Sequence, residues 1–419
     1  MNDQDSSSQV KALNLLFELE RILESDPIID EVGFIHPSQF DTLNEEAYQF
    51  VPSSDDTFSS KVPDVDASKH VSVASFWNKD HKLGISTEVL FPLYQTAKHA
   101  FMAAIKQYKA LVDSSSSHSS SSHGNVENEV MKHSRALLLL SCDFGTAWHS
   151  RKLVVSKKYP PSVLVYELHL SALVLSYAPK CEHAWSHRRW VIKSIAGRCP
   201  TLQNILEKES ELVEKIAERS KMNYRAWNHR NWLVSYMSKE QVLHELKKTR
   251  NWAGLHVADN SCFHYRRRLM LRILEDSKIG SFQYSVDINQ LWEDELEWNE
   301  MLIKLYVGRE ALWLHRRFLA PILLKRFSLD HTDIRTSIHK DSDKFVDNEF
   351  NLLSLCSSVP ESSFEDHNAQ ALHCATYMLW LLKFIGVEFQ EKLRVENLKS
   401  VLSKTCPEKS FLWDHLTEN

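Results

Sequence analysis

Pro179-Lys180-Cys181-Glu182-His183-Ala184-Trp185-Ser186-His187-Arg188-Arg189-Trp190 is followed by a second stretch of the same build, Asn223-Tyr224-Arg225-Ala226-Trp227-Asn228-His229-Arg230-Asn231-Trp232. In both, a tryptophan is followed by histidine at the second place and arginine at the third. The aromatic-x-x-arginine spacing occurs at five registers: Trp148/Arg151, Trp185/Arg188, Trp227/Arg230, Phe263/Arg266 and Trp313/Arg316. The aromatics are 37, 42, 36 and 50 residues apart. That period fits one helical hairpin per unit and is too long for a coiled-coil heptad. It predicts a helical solenoid.

Working outward from each aromatic, an apolar pair stands eleven and ten residues earlier: Leu137/Leu138, Val174/Leu175, Ile216/Ala217, Trp252/Ala253 and Leu302/Ile303. This places a first helix ahead of every aromatic. Six residues after the aromatic come Val154, Val191, Leu233, Leu269 and Leu319, which can share the inner region of a second helix. The residue just before it is Ala147, Ala184, Ala226, Cys262 or Leu312; a small side chain there lets two helices approach closely. Ser238 with Gln241 forms a capping-box pattern. Gly197 followed by Pro200 reads as a helix stop.

Composition agrees with an all-α chain. The 419 residues are 43% hydrophobic and 25% charged, with nine glycines and twelve prolines, which leaves little material for turn-rich β structure. A net charge of −5 and a pI near 6.5 give no whole-chain reason to expect nucleic acid. The seven cysteines contain no C-x-x-C pair, and residues Met1 to Gln9 form no apolar leader, so a reducing cytoplasm is the expectation. The richest apolar stretches, Leu137 to Leu140 and Met378 to Ile385, fall short of the roughly 20 residues a bilayer span needs. Asp-His-Leu-Thr-Glu-Asn at the end carries no lipidation cysteine.

Four regions are expected. Residues 1–112 form an N-terminal helical region, with helices over Val10 to Glu24 and about Glu88 to Val112 and an irregular connection from Phe50 to Ser72. Residues 113–126, rich in serine and histidine, have nothing to bury and read as a disordered insert. His118 and His123 there read as solvated side chains, since no third ligand accompanies them. Residues 127–330 hold the hairpin solenoid. Residues 331–419 form a C-terminal helical region, polar and basic to Asp347, then helical over Phe350 to Leu355 and Phe364 to Ile385.

The two opening stretches resemble the repeat signature of protein prenyltransferase α subunits, a proline-lysine-asparagine-tyrosine turn leading into tryptophan-x-histidine-arginine-arginine. Trp185, Trp227 and Trp313 carry the signature; Trp148/Arg151 and Phe263/Tyr265/Arg266 are degraded copies in register. Asp26-Pro27-Ile28-Ile29-Asp30-Glu31-Val32-Gly33 and His81-Lys82-Leu83-Gly84-Ile85 are similar to a divergent branch of the family, the α-subunit repeat-containing proteins. The resemblance covers about half the chain and implies an α-α superhelix of hairpins, similar to TPR-like solenoids. It also implies that the chain is the α-type subunit of a heterodimeric geranylgeranyltransferase, acting on a protein with a C-terminal cysteine. Zinc and the lipid site then belong to a β subunit resembling that of Rab geranylgeranyltransferase, with an isoprenoid diphosphate as substrate and no cofactor in this chain.

The same resemblance matches Lys180 and Tyr224 to turn residues that contact the diphosphate. Negative charge grows on its oxygens as it leaves, and a preplaced ammonium and phenol stabilise that charge. Arg225 stands where the farnesyl-type pattern has histidine and can hold phosphate; Glu182 stands where that pattern has tyrosine and opposes a nearby diphosphate unless it points away. The remaining repeat residues, Trp148, Arg151, Trp185, His187, Arg188, Trp227, His229, Arg230, Phe263, Arg266, Trp313, His315 and Arg316, read as scaffold, with the arginines bonding carbonyls or acidic groups between hairpins. A second reading of Arg188/Arg189 and Arg316/Arg317 is an electropositive edge. No Cys/His/Asp set has zinc spacing and no phosphate loop occurs, so no metal site and no activity of the chain alone are expected. A non-enzymatic helical-repeat adaptor for a peptide or vesicle-traffic protein is the rival function, on the same fold.

Overall fold

The computed structural model describes residues 3–40, 42–43, 75–113, 120–156, 160–278, 288–329, 335–357 and 365–382, with single positions at 403, 407 and 411. Two compact units, Met1–His229 and Arg230–Asn419, divide the chain, and the boundary falls inside one helix of the repeat array. Fourteen α-helices and one small sheet occur among the described residues.

The first unit opens with α1 (Asp3–Ser25) and α2 (Leu90–Asp113), which pack together. Leu93, Ala97, Phe101, Ala104, Ile105 and Tyr108 recur at helical spacing on α2 and form its buried stripe. There follow α3 (Ser120–Leu140), α4 (Gly145–Ser156), α5 (Pro161–Tyr177), α6 (Glu182–Ile195), α7 (Leu202–Arg219) and α8 (Tyr224–Leu233). In the second unit α9 (Lys239–Leu255) packs on α10 (Asn260–Lys278), α11 (Ile288–Leu305) on α12 (Glu310–Leu329), and α13 (Arg335–Ser357) on α14 (Glu365–Leu382). The chain is thus built of helical hairpins, the construction of an α-α superhelix.

Each aromatic occupies the fourth position of a second helix: Trp148 in α4, Trp185 in α6, Trp227 in α8, Phe263 in α10 and Trp313 in α12. All five are buried, with Trp313 the most accessible at 4%. The apolar pairs of the first helices, the small residues before the aromatics and the apolar residues six places after them are buried too. Ser238 and Gln241 form the expected capping box at the start of α9. After α6 the chain turns through Gly197 at φ 77°.

The sheet is what sequence reading did not anticipate. β1 (Glu31–Ile35) runs parallel to β3 (Lys82–Ser86), and β2 (Phe76–Lys79) runs antiparallel to β3 on its other side. Glu31 pairs with Lys82, Val32 with Leu83 and Gly33 with Gly84, so the two segments that resemble the divergent branch lie side by side. The sheet is tied to α5, where Ser176 Oγ accepts from the Val32 amide at 3.1 Å and Tyr177 packs edge-on to Phe34 at 5.3 Å.

Several boundaries differ from expectation. α1 begins seven residues earlier than Val10, its polar first turns being carried by the apolar turns behind them. Of the serine-rich stretch 113–126, Asp113 belongs to α2 and the residues from Ser120 on belong to α3. Helix propagation past a nucleus that is held by buried Val130 and Leu137 accounts for the early start. The basic stretch before Asp347 is helical from Arg335, and the short helix at Phe350 is the end of α13. Residues 114–119, with His118, and the connection from Phe50 to Ser72 lie outside the described residues. No described helix is long and apolar enough to cross a membrane.

Candidate functional site

The repeat arginines are buried, Arg151 the most accessible of them at 5%. In the first unit, Arg151 of α4 reaches back to α3, donating through Nη1 to Met131 O at 2.7 Å and Ser134 Oγ at 2.8 Å. It also reaches forward to α5, where Nε and Nη2 grip Glu167 at 2.9 and 2.6 Å. Glu167 accepts a further bond from His187 Nε2 of α6 at 2.9 Å. The next hairpin repeats the pattern: Arg188 donates to Leu168 O and Ser171 Oγ behind it and grips Glu209 of α7, which accepts from His229 Nε2 at 2.9 Å. The second unit repeats it three times. Arg230 holds Glu245 and Arg266 holds Glu295, with Tyr265 and His315 as the third partners; Arg316 holds Glu349, with Tyr377.

Each buried arginine is therefore matched by one buried glutamate, which meets the requirement that interior charge be paired and hydrogen-bonded. Burial alone would raise the Glu167 and Glu209 carboxyls, but the facing guanidinium and imidazole donors hold both down at about 2. Glu295 is likewise depressed, by Arg266 and His315. Burial lowers His187, His229 and His315 below the ordinary imidazole value, so they stay neutral with the proton on Nε2. His187 Nδ1 and His315 Nδ1, on the opposite side of the ring, have no hydrogen-bond partner. The imidazoles also pack on the preceding hairpin's aromatic, His187 on Trp148 at 4.8 Å and His229 on Trp185 at 5.1 Å. Arg188 and Arg316 consequently cannot form an electropositive edge. Glu167, Glu209, Glu245, Glu295 and Glu349 were missed by sequence reading, although the first four stand eighteen residues before their aromatics.

The turns between first and second helices form an edge of the first unit. Trp148 Nε1 donates to Cys142 O at 2.8 Å and Trp185 Nε1 to Pro179 O at 3.0 Å, each six residues back. Adjacent turns are joined at one repeated position, where Cys181 Sγ donates to Cys142 O at 3.4 Å and Asn223 Nδ2 to Pro179 O at 2.8 Å. Lys180 follows Pro179 and Tyr224 follows Asn223, so this last bond brings their two turns together; both side chains are exposed, Tyr224 at 68%. Arg225 is exposed beside them. Its Nε donates to Glu182 Oε2 at 3.1 Å, and Arg189 Nη2 donates to Glu182 Oε1 at 2.7 Å. Glu182 is thus held by two arginines.

Among the described residues one group gathers three metal-ligating side chains, Cys142, Asp143 and Cys181, whose ligand atoms lie within 4.8 Å of one another. The sequence reading grouped no such set, because 39 residues separate the two cysteines and only the hairpin period brings them together. Burial pushes both thiols up, Cys181 to about 12.

The model of the protein prenyltransferase alpha subunit repeat matches residues 164–195, 206–237, 242–273 and 292–322. Human protein prenyltransferase alpha subunit repeat-containing protein 1 is 32% identical over 238 residues, which are 46% of this chain and 58% of that protein. The chain spans a little over half the length of the curated relatives of this kind that it matches. Geranylgeranyl transferase type-2 subunit alpha of Candida albicans is 21% identical over 338 residues, 72% of this chain and 86% of that one. A chain of Candida albicans protein geranylgeranyltransferase-I complexed with GGPP matches at TM-score 0.36 and 16% identity over 66% of this chain and 90% of its own, too loosely to carry an argument. The chain thus carries four protein prenyltransferase alpha subunit repeats and is similar in sequence to proteins named for that repeat.

Proposed function

We propose that this chain is the α-type subunit of a heterodimeric protein geranylgeranyltransferase, with a zinc-containing β partner resembling that of Rab geranylgeranyltransferase. Lys180 and Tyr224 are assigned to the isoprenoid diphosphate. The observation that carries the reading is their placement: two exposed donors on neighbouring turns, coupled by the bond from Asn223 to Pro179 O. A protein thiolate attacks the allylic carbon, the carbon–oxygen bond breaks, and both electrons leave with the diphosphate. An ammonium and a phenol hydroxyl already in position stabilise that departing charge more than they stabilise the bound substrate. Glu182 does not oppose this, because its carboxylate is neutralised by Arg189 and Arg225. The similarity to a type-2 alpha subunit over most of that protein's length supports the geranylgeranyl assignment.

The test is co-expression with a β-type subunit followed by single-turnover transfer of a labelled geranylgeranyl group. Lys180→Ala is expected to slow the transfer step about ten- to a thousandfold while assembly stays near wild type; Tyr224→Phe should do the same more weakly. The chain without its partner should transfer nothing. Full transfer by Lys180→Ala in a normal complex would reduce this chain to a scaffold, and failure of any β-type subunit to copurify would favour the adaptor function.

A further inference from the structure

The Asn223 side chain and the Cys181 thiol do the same structural task at equivalent positions, each donating to the carbonyl of the preceding turn. The amide does it at 2.8 Å and the thiol at 3.4 Å, and a thiol is a weak donor. Stacking therefore gives no reason for a sulfur at position 181. Its surroundings do. Cys181 Sγ lies 3.6 Å from Asp143 Oδ1, and the Cys142 sulfur completes a triangle within 4.8 Å. A carboxylate beside two sulfurs opposes their ionisation unless a cation sits among them, and two thiolates with an oxygen donor suit a soft divalent ion such as zinc.

We infer that Cys142, Asp143 and Cys181 form a zinc-class metal site, with water completing the coordination, that clamps the turn of α3/α4 to the turn of α5/α6. Loading breaks two S–H bonds and forms two metal–sulfur bonds, releasing both protons to solvent. The site uses no residue assigned to the diphosphate, but it fixes the turn that carries Lys180.

The reduced, chelator-stripped chain is titrated with Co2+, and bound cobalt is then displaced by Zn2+. A single equivalent of cobalt with sulfur-to-metal charge-transfer absorption, lost in Cys142→Ser and in Cys181→Ser, is the expected result. Asp143 is exposed, so Asp143→Ala should leave the circular dichroism unchanged while weakening Co2+ binding more than about tenfold, since even outer-shell losses reach that scale. The site is overturned by absence of the charge-transfer band, by a band that survives in the Cys142→Ser/Cys181→Ser double variant, or by Asp143→Ala binding cobalt as tightly as wild type. It is also overturned if peptide mapping without reductant finds a Cys142–Cys181 disulfide and the reduced chain takes up no metal. Should the serine variants fail to fold, Asp143→Ala alone decides.

Discussion

Glu209 receives both a guanidinium and an imidazole at 3% accessibility, so its charge is what lets Arg188 be buried at all. Glu209→Gln keeps the shape and removes the charge, leaving a buried cation without its partner. The expected loss is about 3–5 kcal/mol, read as a fall in the urea midpoint at unchanged slope. Glu182→Gln is the matched control. Its side chain is 54% exposed and its arginines face water, so less than about 1 kcal/mol should be lost. If the two variants lose equal stability, the buried pairing does not carry the energy assigned to it. The arginines and histidines of these clusters were legible because they follow a tryptophan at fixed places. The glutamates were not, since glutamate is common on helices and only packing tells which one is enclosed.

At the scale of the helix pair, the turn decides how closely hairpins stack. Gly308, between α11 and α12, has φ 78°, and a Cβ there would lie 2.6 Å from Asp366 O at the start of α14. Backbone cannot move aside as a side chain can. Gly308→Ala should therefore lose about 2–4 kcal/mol, the left-handed strain added to an overpacked contact. Gly197 has the same φ but nothing within 4 Å of the added Cβ; Gly197→Ala should lose only about 1–2 kcal/mol. Thermal midpoints of the two variants check the difference, and equal shifts would show that the Asp366 contact can relax. The helical hairpins and a few of their ends, such as the cap at Ser238 and the stop at Gly197, were readable from apolar spacing and local signals. The sheet was not, because β1 pairs in parallel with a strand 51 residues on, and parallel pairing leaves no local turn signal. The β2–β3 hairpin turns through Asp80 and His81 at φ 49° and 61°, where Asn-Gly would have announced it.

For the whole molecule, the buried carboxylates and imidazoles set a pH dependence of one sign. Glu167 and Glu209 titrate at about 2 when folded against 4.5 ordinarily. Their stabilisation is complete above 4.5 and is lost as pH falls from there toward 2. His187, His229 and His315 are depressed below 6.5, so acid favours the unfolded chain, which binds their protons more readily, from that pH downward. Urea midpoints measured between neutral pH and about 3 should fall in two stages, first with the histidines and then with the carboxylates. A midpoint that stays flat or rises on acidification would contradict the buried clusters. What the amino-acid sequence determined alone was the hairpin period and the register of its aromatics, because apolar spacing is local and each hairpin must bury its face on the next. Which polar groups meet was decided only by the tertiary structure: Arg188 with Glu209 and His229, Cys142 and Asp143 with Cys181, and the turn of Lys180 against that of Tyr224. Those meetings depend on how one hairpin seats upon another through space, and a distance set by stacking has no fixed counterpart along the chain.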